Sequence, residues 1–122
     1  MLVPSIATLG TLSVAVKSEV HMAVLAIFTG SGITKQMYEA LRPEVKWETK
    51  LAPGGLVHAC AFDKKGDLHV ADVWESVETM NEFVNSRLVP AMKKLGIPPP
   101  AVSVFPVHNV NVYPAAKKFL LK

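Results

Sequence analysis

The apolar residues of the chain follow two periodicities, and the shorter one predicts four β-strands. Three of the four segments are apolar on both faces, which is typical of strands that are covered on both sides. The third segment alternates and is different, because Asp72 shares a face with Leu68, Val70 and Trp74. The predicted strands span residues 22–29, 56–62, 67–75 and 101–114.

The longer periodicity predicts two amphipathic helices, in which apolar residues recur every three or four positions. Thr34 is the expected N-cap of the first helix, and Pro43 is expected to end or restart it. Ser76 is the expected N-cap of the second helix, Pro90 is expected to kink or restart it, and Gly96 suits the position after its end. The predicted buried stripes are Ile33, Met37, Leu41 and Val45 in the first helix, and Val77, Met80, Val84 and Leu88 in the second.

The order of these elements is β-α-β-β-α-β, with a hairpin at residues 63–66 between the second and third strands. This order predicts an α+β, ferredoxin-like fold, in which two helices cover one face of a four-stranded antiparallel sheet. The other face is then uncovered although three strands are apolar on it, so we expect a homodimer whose sheets face each other and form an α/β barrel. The barrel domain is expected to span residues 22–114, after an N-terminal extension (1–21) that could add an extra strand and before a C-terminal tail (115–122).

Composition and charge restrict the class of protein. The chain has 122 residues, of which half are apolar and 19% are charged, and this is enough for one domain with a single core. Its 13 Lys and Arg form no basic stripe interleaved with aromatic residues, so no nucleic-acid partner is expected. No apolar run reaches the ~18 residues of a membrane helix, so no membrane partner is expected. A single cysteine, Cys60, indicates a reducing compartment, the cytoplasm.

A family resemblance is carried by the segment DVWESVETMNEFVNSRLVPAMKKLGIPPP followed by VFPVHNV. These residues resemble the dimeric α/β-barrel superfamily, near its antibiotic-biosynthesis-monooxygenase-like group, and the likeness covers residues 22–114. The resemblance implies a homodimer with a pocket between each sheet and its helices or loops. Trp74 matches a pocket tryptophan of that group, whereas the positions that match its catalytic asparagine hold Val24, Leu25 and Ala26. Members include cofactor-free monooxygenases, haem-degrading enzymes and lactone isomerases, so the fold alone does not select a reaction.

Histidines on three predicted strands are the first candidates for chemistry. His58, His69 and His108 lie on the second, third and fourth strands, and an imidazole near its neutral pKa can act as a general base or orient a ligand. We predict His108 as the catalytic base, with His58 and His69 binding the substrate. The alternative is that each histidine is half-buried and bonded within the scaffold. Their spacing is not that of metal ligands, so neither a metal nor another cofactor is expected.

Asp72 is the second predicted catalytic residue. In the middle of a strand, an ionised carboxylate costs several kcal/mol unless it is paired. One interpretation pairs it with a histidine of a neighbouring strand, in an Asp–His unit whose carboxylate sets the tautomer. The other interpretation gives it a structural bond to Arg42, Arg87 or a lysine.

Further side chains are predicted to line a substrate pocket. Trp74 is large enough to form a wall and carries one N–H donor. The amide of Asn109 could bind a carbonyl group or simply finish the strand end. Tyr38, which faces away from the first helical stripe or flanks it, could close the pocket mouth. Cys60 has no basic neighbour in sequence and is expected to be inert packing.

Two functions of different classes stay open. The first is a cofactor-independent enzyme, monooxygenase-like or isomerase-like, that acts on an apolar carbonyl or aromatic substrate. His108 would shuttle a proton in it, Asp72 would orient a neighbouring imidazole, and Trp74 would stack on the substrate. The second is a non-catalytic dimer that binds a small apolar ligand, or a purely structural dimer.

Overall fold

A computed structural model describes residues 22–121 of the chain. The strands are β1 (Val24–Gly30), β2 (Gly55–Phe62), β3 (Leu68–Trp74) and β4 (Ala101–Pro106). The α-helices are α1 (Lys35–Val45), α2 (Val77–Phe83) and α3 (Val89–Leu95). A π-helical turn (Val84–Leu88) joins α2 to α3, and a 3-10 helix (Pro114–Phe119) follows β4. The predicted N-terminal extension lies outside the described residues.

The four strands form one antiparallel sheet in the order β2-β3-β1-β4. The α+β class and the four-stranded antiparallel sheet are therefore confirmed. β1 is central and pairs with β3 and β4, whereas within residues 22–121 β2 pairs with β3 alone. The arrangement is compatible with a ferredoxin-like fold. None of the helices in residues 22–121 is both long and apolar enough to cross a membrane.

The core lies between the helices and one face of the sheet. In β1, the buried residues Val24, Ala26 and Phe28 alternate with more exposed ones, because successive side chains of a strand point to opposite faces. Each large side chain buried in this way contributes roughly 1.5–3 kcal/mol. The other members of the core are Ile33, Tyr38, Leu41, Val45, Leu68, Val70, Trp74, Met80, Phe83, Ala91, Met92, Ile97 and Val104.

The reverse face of the sheet carries apolar side chains that the described part of the chain leaves accessible. Leu25 and Ile27 of β1 and Val73 of β3 are only partly buried, and Phe105 of β4 is 40% exposed. Every buried strand residue is on the helix side instead. The sheet is therefore apolar on both faces, but its own helices cover one.

The predicted helix caps are confirmed. The Thr34 hydroxyl accepts a hydrogen bond from the Met37 N–H at 3.2 Å, and the Ser76 hydroxyl accepts one from Thr79 at 3.1 Å. Each satisfies a backbone donor that the first helical turn leaves free. Gly96 follows α3 in the left-handed region, with a φ of 69°, as expected for a residue that ends a helix.

The predictions at the two prolines had different outcomes: the one at Pro43 was wrong, whereas a new α-helix, α3, does begin beside Pro90. Helix α1 continues through Pro43 to Val45, so this proline neither ends nor restarts it. Pro90 lies in the first turn of α3, directly after the π-helical turn, and the backbone is helical without interruption over residues 77–95. This wider turn changes the phase of the apolar stripe, so that Ala91 and Met92 are buried while Leu95 is 37% exposed.

The fourth strand is shorter than predicted. It ends at Pro106, whose partner Val24 is the first residue of β1, and one further bond runs from the Val107 N–H to the Ala23 carbonyl oxygen at 2.9 Å. Beyond this bond, the described part of the chain shows no further pairing of the segment. His108 and Asn109 consequently lie beyond the sheet, and the prediction that His108 is a strand residue was wrong.

Candidate functional site

A hydrogen-bonded chain of three side chains connects α1, β2 and β3. Asp72 Oδ1 lies 2.6 Å from His58 Nδ1, and His58 Nε2 lies 2.9 Å from the Tyr38 hydroxyl. His58 and Asp72 are directly opposite each other in the β2–β3 ladder, and both point to the helix side of the sheet. The strand register therefore forms the Asp–His pair, and helix α1 adds the phenol above it.

The environment of the chain fixes the direction of its hydrogen bonds. The Asp72 side chain is 9% exposed, and as a carboxylate it only accepts, so His58 donates from Nδ1. In the neutral imidazole Nε2 is then an acceptor, and Tyr38 donates to it. This is the Asp–His unit that one of the two sequence interpretations described. Its use in catalysis stays a prediction.

The alternative partners of Asp72 are bonded elsewhere. Arg42 forms ion pairs with Glu39 at 2.6 Å and with Glu48 at 2.8 Å on the surface. Arg87 donates to the carbonyl oxygens of Val45 and Lys50. Neither guanidinium is among the hydrogen-bond partners of the carboxylate, so His58 is what compensates its burial.

Burial keeps the two weak acids next to His58 protonated. Desolvation raises the pKa of Tyr38 well above its usual range, and the neighbouring Cys60 adds to the rise. Desolvation also raises the pKa of Cys60, to about 11. Tyr38 is therefore a stable hydrogen-bond donor at neutral pH, and Cys60 is a thiol that lacks the thiolate needed for nucleophilic attack.

Aromatic rings enclose the Tyr38–His58 hydrogen bond. The planes of these two rings differ by only 3°, and the Trp47 ring lies against both, with centroid distances of 5.2 Å. Phe62 meets the Tyr38 ring edge-on at 6.0 Å. The Trp47 indole N–H is buried without a hydrogen-bond partner in the described part of the chain. One wall of the site is thus apolar but carries a free donor.

Trp47 is the residue that sequence reasoning missed. It stands in the segment KWETK, within a loop that separates α1 from β2, and loop side chains are usually accessible. The signal that could have found it is a large aromatic side chain in an otherwise polar loop. Such a residue gains free energy by burial, and the nearest uncovered surface is the adjacent edge of the sheet.

Two arginines hold the loop that carries Trp47. The Arg87 guanidinium donates from Nη2 to Val45 at 2.6 Å and to Lys50 at 2.6 Å, so it bridges the two ends of the turn. Its other face lies 5.1 Å from the centre of the Phe83 ring. Arg42 binds Glu48 in the same turn. Trp47 is therefore fixed from outside the site.

The remaining predicted site residues are not joined to this chain of hydrogen bonds. Trp74 is buried and packs on Phe83 at 5.2 Å, with its indole N–H unpaired among residues 22–121. His69 lies on the opposite face of β3 and pairs with Asp63 at 2.9 Å. His108 and Asn109 are exposed after β4, at the other edge of the sheet from β2.

Comparisons with protein-family models, with curated proteins and with solved structures find no match to this chain. The resemblance to the dimeric α/β-barrel superfamily therefore stays a prediction, which depends on residues 72–100 and 104–110 and on the order of the elements. Within residues 22–121, the structure groups no three His, Cys, Asp or Glu side chains that could hold a metal ion.

Proposed function

We propose that the chain is a cofactor-independent enzyme that transfers protons on a small apolar substrate with a carbonyl group or an aromatic ring, in the manner of an isomerase. The observation that carries this proposal is the chain of hydrogen bonds from Asp72 through His58 to Tyr38. The base in this proposal is His58 in place of His108, because His58 has both an orienting carboxylate and a neighbouring acid.

Each of the three side chains has a role in the proposed step. Asp72 holds the proton of His58 on Nδ1, so Nε2 is the basic nitrogen. In the proposed step the Tyr38 hydroxyl turns from Nε2 to the substrate carbonyl oxygen, and the freed lone pair of Nε2 takes a proton from the carbon next to that carbonyl. The electron pair of that C–H bond moves to the carbonyl oxygen and forms an enolate. Return of the proton from Nε2 to a different carbon completes the isomerisation and restores the neutral imidazole.

Tyr38 is suited to stabilise the enolate. Its phenol proton bonds to the substrate oxygen, and Nε2, once it is protonated, becomes a donor to the Tyr38 oxygen. Burial supports this role, because it raises the pKa of Tyr38 and keeps the phenol protonated. The imidazolium is stabilised in the meantime by Asp72, 2.6 Å from Nδ1.

The surroundings favour an apolar and flat substrate. The rings of Trp47 and Phe62 form the walls beside the Tyr38–His58 pair, and flat apolar molecules gain most from contact with such rings. The His58 side chain is 35% exposed, so the imidazole can be reached from solvent.

We also propose that the fold is ferredoxin-like and that two copies form a dimeric α/β barrel in the cytoplasm. The reverse face of the sheet, with Leu25, Ile27, Val73 and Phe105, supports the dimer, because a second copy would remove this apolar area from water. The free thiol of Cys60 supports a reducing compartment. Light scattering should give twice the chain mass of 13.2 kDa, and a monomer would contradict the barrel.

Hydrogen–deuterium exchange at carbon tests the enzymatic proposal. Small apolar ketones and aromatic carbonyl compounds are incubated with the protein in D₂O, and exchange next to the carbonyl is followed by NMR. We expect the protein to accelerate exchange of some compounds, His58→Gln to abolish the acceleration, and His69→Gln to leave it intact. His69 is the matched control, since it is a strand histidine paired with a carboxylate on the other face. Equal activity of the two variants would refute the role of His58.

The alternative is a non-catalytic dimer that binds a small apolar ligand or is purely structural. One observation favours it: the bond from His58 also satisfies the buried carboxylate of Asp72, which a scaffold requires as well. The two functions differ in His58→Gln. A structural histidine predicts lower stability with no ligand lost on purification. If His58 is catalytic, His58→Gln should still bind any ligand that mass spectrometry finds with the unaltered protein, but it should no longer accelerate hydrogen–deuterium exchange.

A further inference from the structure

A groove on the outside of the Trp47 turn is rich in positive charge. It encloses about 350 Å³ between the turn after α1 and the segment that joins the π-helical turn to α3. Four of its side chains are basic and one is acidic, so its formal charge is as large as that of the whole chain. These charged side chains are Lys46, Lys50, Arg87, Lys94 and Glu44.

Only part of this positive charge is neutralised. Lys94 forms an ion pair with Glu44 at 3.0 Å, and Arg87 uses Nε and Nη2 on backbone carbonyl oxygens. The ammonium groups of Lys46 and Lys50 and the Nη1 of Arg87 bind no acceptor among residues 22–121. Lys46, Lys50 and Arg87 thus line one cavity, and its carboxylate, Glu44, is already paired with Lys94.

Two features of the backbone support a binding role. The free carbonyl oxygens at the C-terminal end of α1 would repel an anion. The last of them, the carbonyl oxygen of Val45, accepts two hydrogen bonds from Arg87, which reduces this repulsion. The wall that carries Arg87 is the π-helical turn Val84–Leu88, an energetically unfavourable element that occurs frequently at functional sites. Arg87 lies in this turn and its guanidinium lines the cavity, where it can bind a planar or tetrahedral oxyanion.

We infer that this groove binds a small oxyanion, a phosphate or a carboxylate group, through Lys46, Lys50 and the Nη1 edge of Arg87. The same turn carries Trp47 on its other side, against His58 and Tyr38. An anion that bridges Lys46 and Lys50 restrains this turn, and it thereby holds Trp47 in place over the His58 site. The anion site does not depend on whether His58 is catalytic.

NMR titration of the full chain tests the inference. Inorganic phosphate and malonate are added separately at constant ionic strength, with chloride as the balancing anion, and the two indole N–H signals are followed. Trp47→Phe identifies the Trp47 signal. We expect a saturable shift of the Trp47 signal with at least one of the two anions, and no shift of the Trp74 signal.

A pair of double variants gives the matched control. Lys46→Gln with Lys50→Gln removes two charges from the groove, and Lys64→Gln with Lys65→Gln removes two from the β2–β3 turn. The groove variant should weaken anion binding about tenfold or more, since charge-assisted bonds are lost, while the turn variant should leave it unchanged. Absence of saturable binding, or equal weakening by both variants, would overturn the site. If backbone amide signals report anion binding that depends on the groove lysines but the Trp47 indole signal does not shift, the coupling between the anion and Trp47 would be overturned.

Discussion

The pairing of Asp72 with His58 makes a quantitative prediction for a double-mutant cycle. His58→Phe keeps a ring of similar size but leaves the carboxylate, 9% exposed, without a partner. An unpaired charge that is fully buried costs about 3–5 kcal/mol, and the 35% exposure of the neighbouring imidazole allows water to reduce this. The phenol of Tyr38 loses its acceptor as well. We expect a loss of about 3 kcal/mol in the free energy of unfolding.

The reverse substitution should cost less. Asp72→Leu removes the buried charge itself and leaves an imidazole that solvent can reach, so we expect a loss of about 1 kcal/mol. With both substitutions no buried charge is left unpaired, and we expect a loss of about 1 kcal/mol for the double variant. The two effects are therefore strongly non-additive, with a coupling energy of about 3 kcal/mol.

Urea unfolding at neutral pH, followed by far-ultraviolet circular dichroism, measures the four proteins of the cycle. The midpoint temperature of His58→Phe should fall by roughly 10–20 °C in a parallel thermal experiment. A coupling energy below about 0.5 kcal/mol would refute the reasoning, because independent sites add to within that margin. Repetition at a second protein concentration separates unfolding from dissociation of a dimer.

Three further predictions concern other parts of the chain. Because burial raises the pKa of Cys60 to about 11, its alkylation by iodoacetamide at pH 8 should be at least about tenfold slower than in the urea-unfolded chain; an equal rate would contradict the buried thiol. Gly54→Ala should lower the free energy of unfolding by about 2 kcal/mol or more, because φ is 84° and the new Cβ would overlap a threonine side chain. Gly66→Ala, where φ is 88° but the space is open, should cost about 1 kcal/mol in the same urea assay, and equal costs would refute the overlap. The bond from His69 lowers the pKa of Asp63, so the Asp63 carboxylate stabilises the fold at neutral pH and this contribution is lost as acid protonates it. The stability difference between the unaltered protein and Asp63→Asn should therefore shrink as the pH falls from 6 to below about 4, and a constant difference would refute the ion pair.

The sequence was sufficient for the elements and their order because their signals are local. The Thr34 and Ser76 caps are residue types that bond to a free N–H three positions on, and both do so. The length of the fourth strand could not be derived in this way. A strand lasts only as long as its neighbour, and the apolar pattern beyond Pro106 does not show that β1 already begins at Val24.

The candidate site was only half predictable, for a similar reason. A carboxylate in the middle of a strand, Asp72, indicates that a partner is required. Three histidines were available, and which of them pairs with it depends on the register of β2 against β3. The helical period places Tyr38 away from the apolar stripe or beside it, whereas the side chain is buried and bonded to His58. The position of Tyr38 depends on how α1 is rotated over the sheet, and the position of Trp47 depends on how a loop folds back. Both are set by tertiary packing and not by local sequence.

The position of β2 at the edge of the sheet affects how long the hydrogen bonds of His58 persist. A rim strand is held by a single ladder, and here that ladder is interrupted by a bulge between Gly55 and Val57. Such a strand can detach in a sub-global opening while the central ladders stay closed. We expect the bonds among Asp72, His58 and Tyr38 to break and form again whenever β2 opens, and amide exchange in β2 measures how often this occurs.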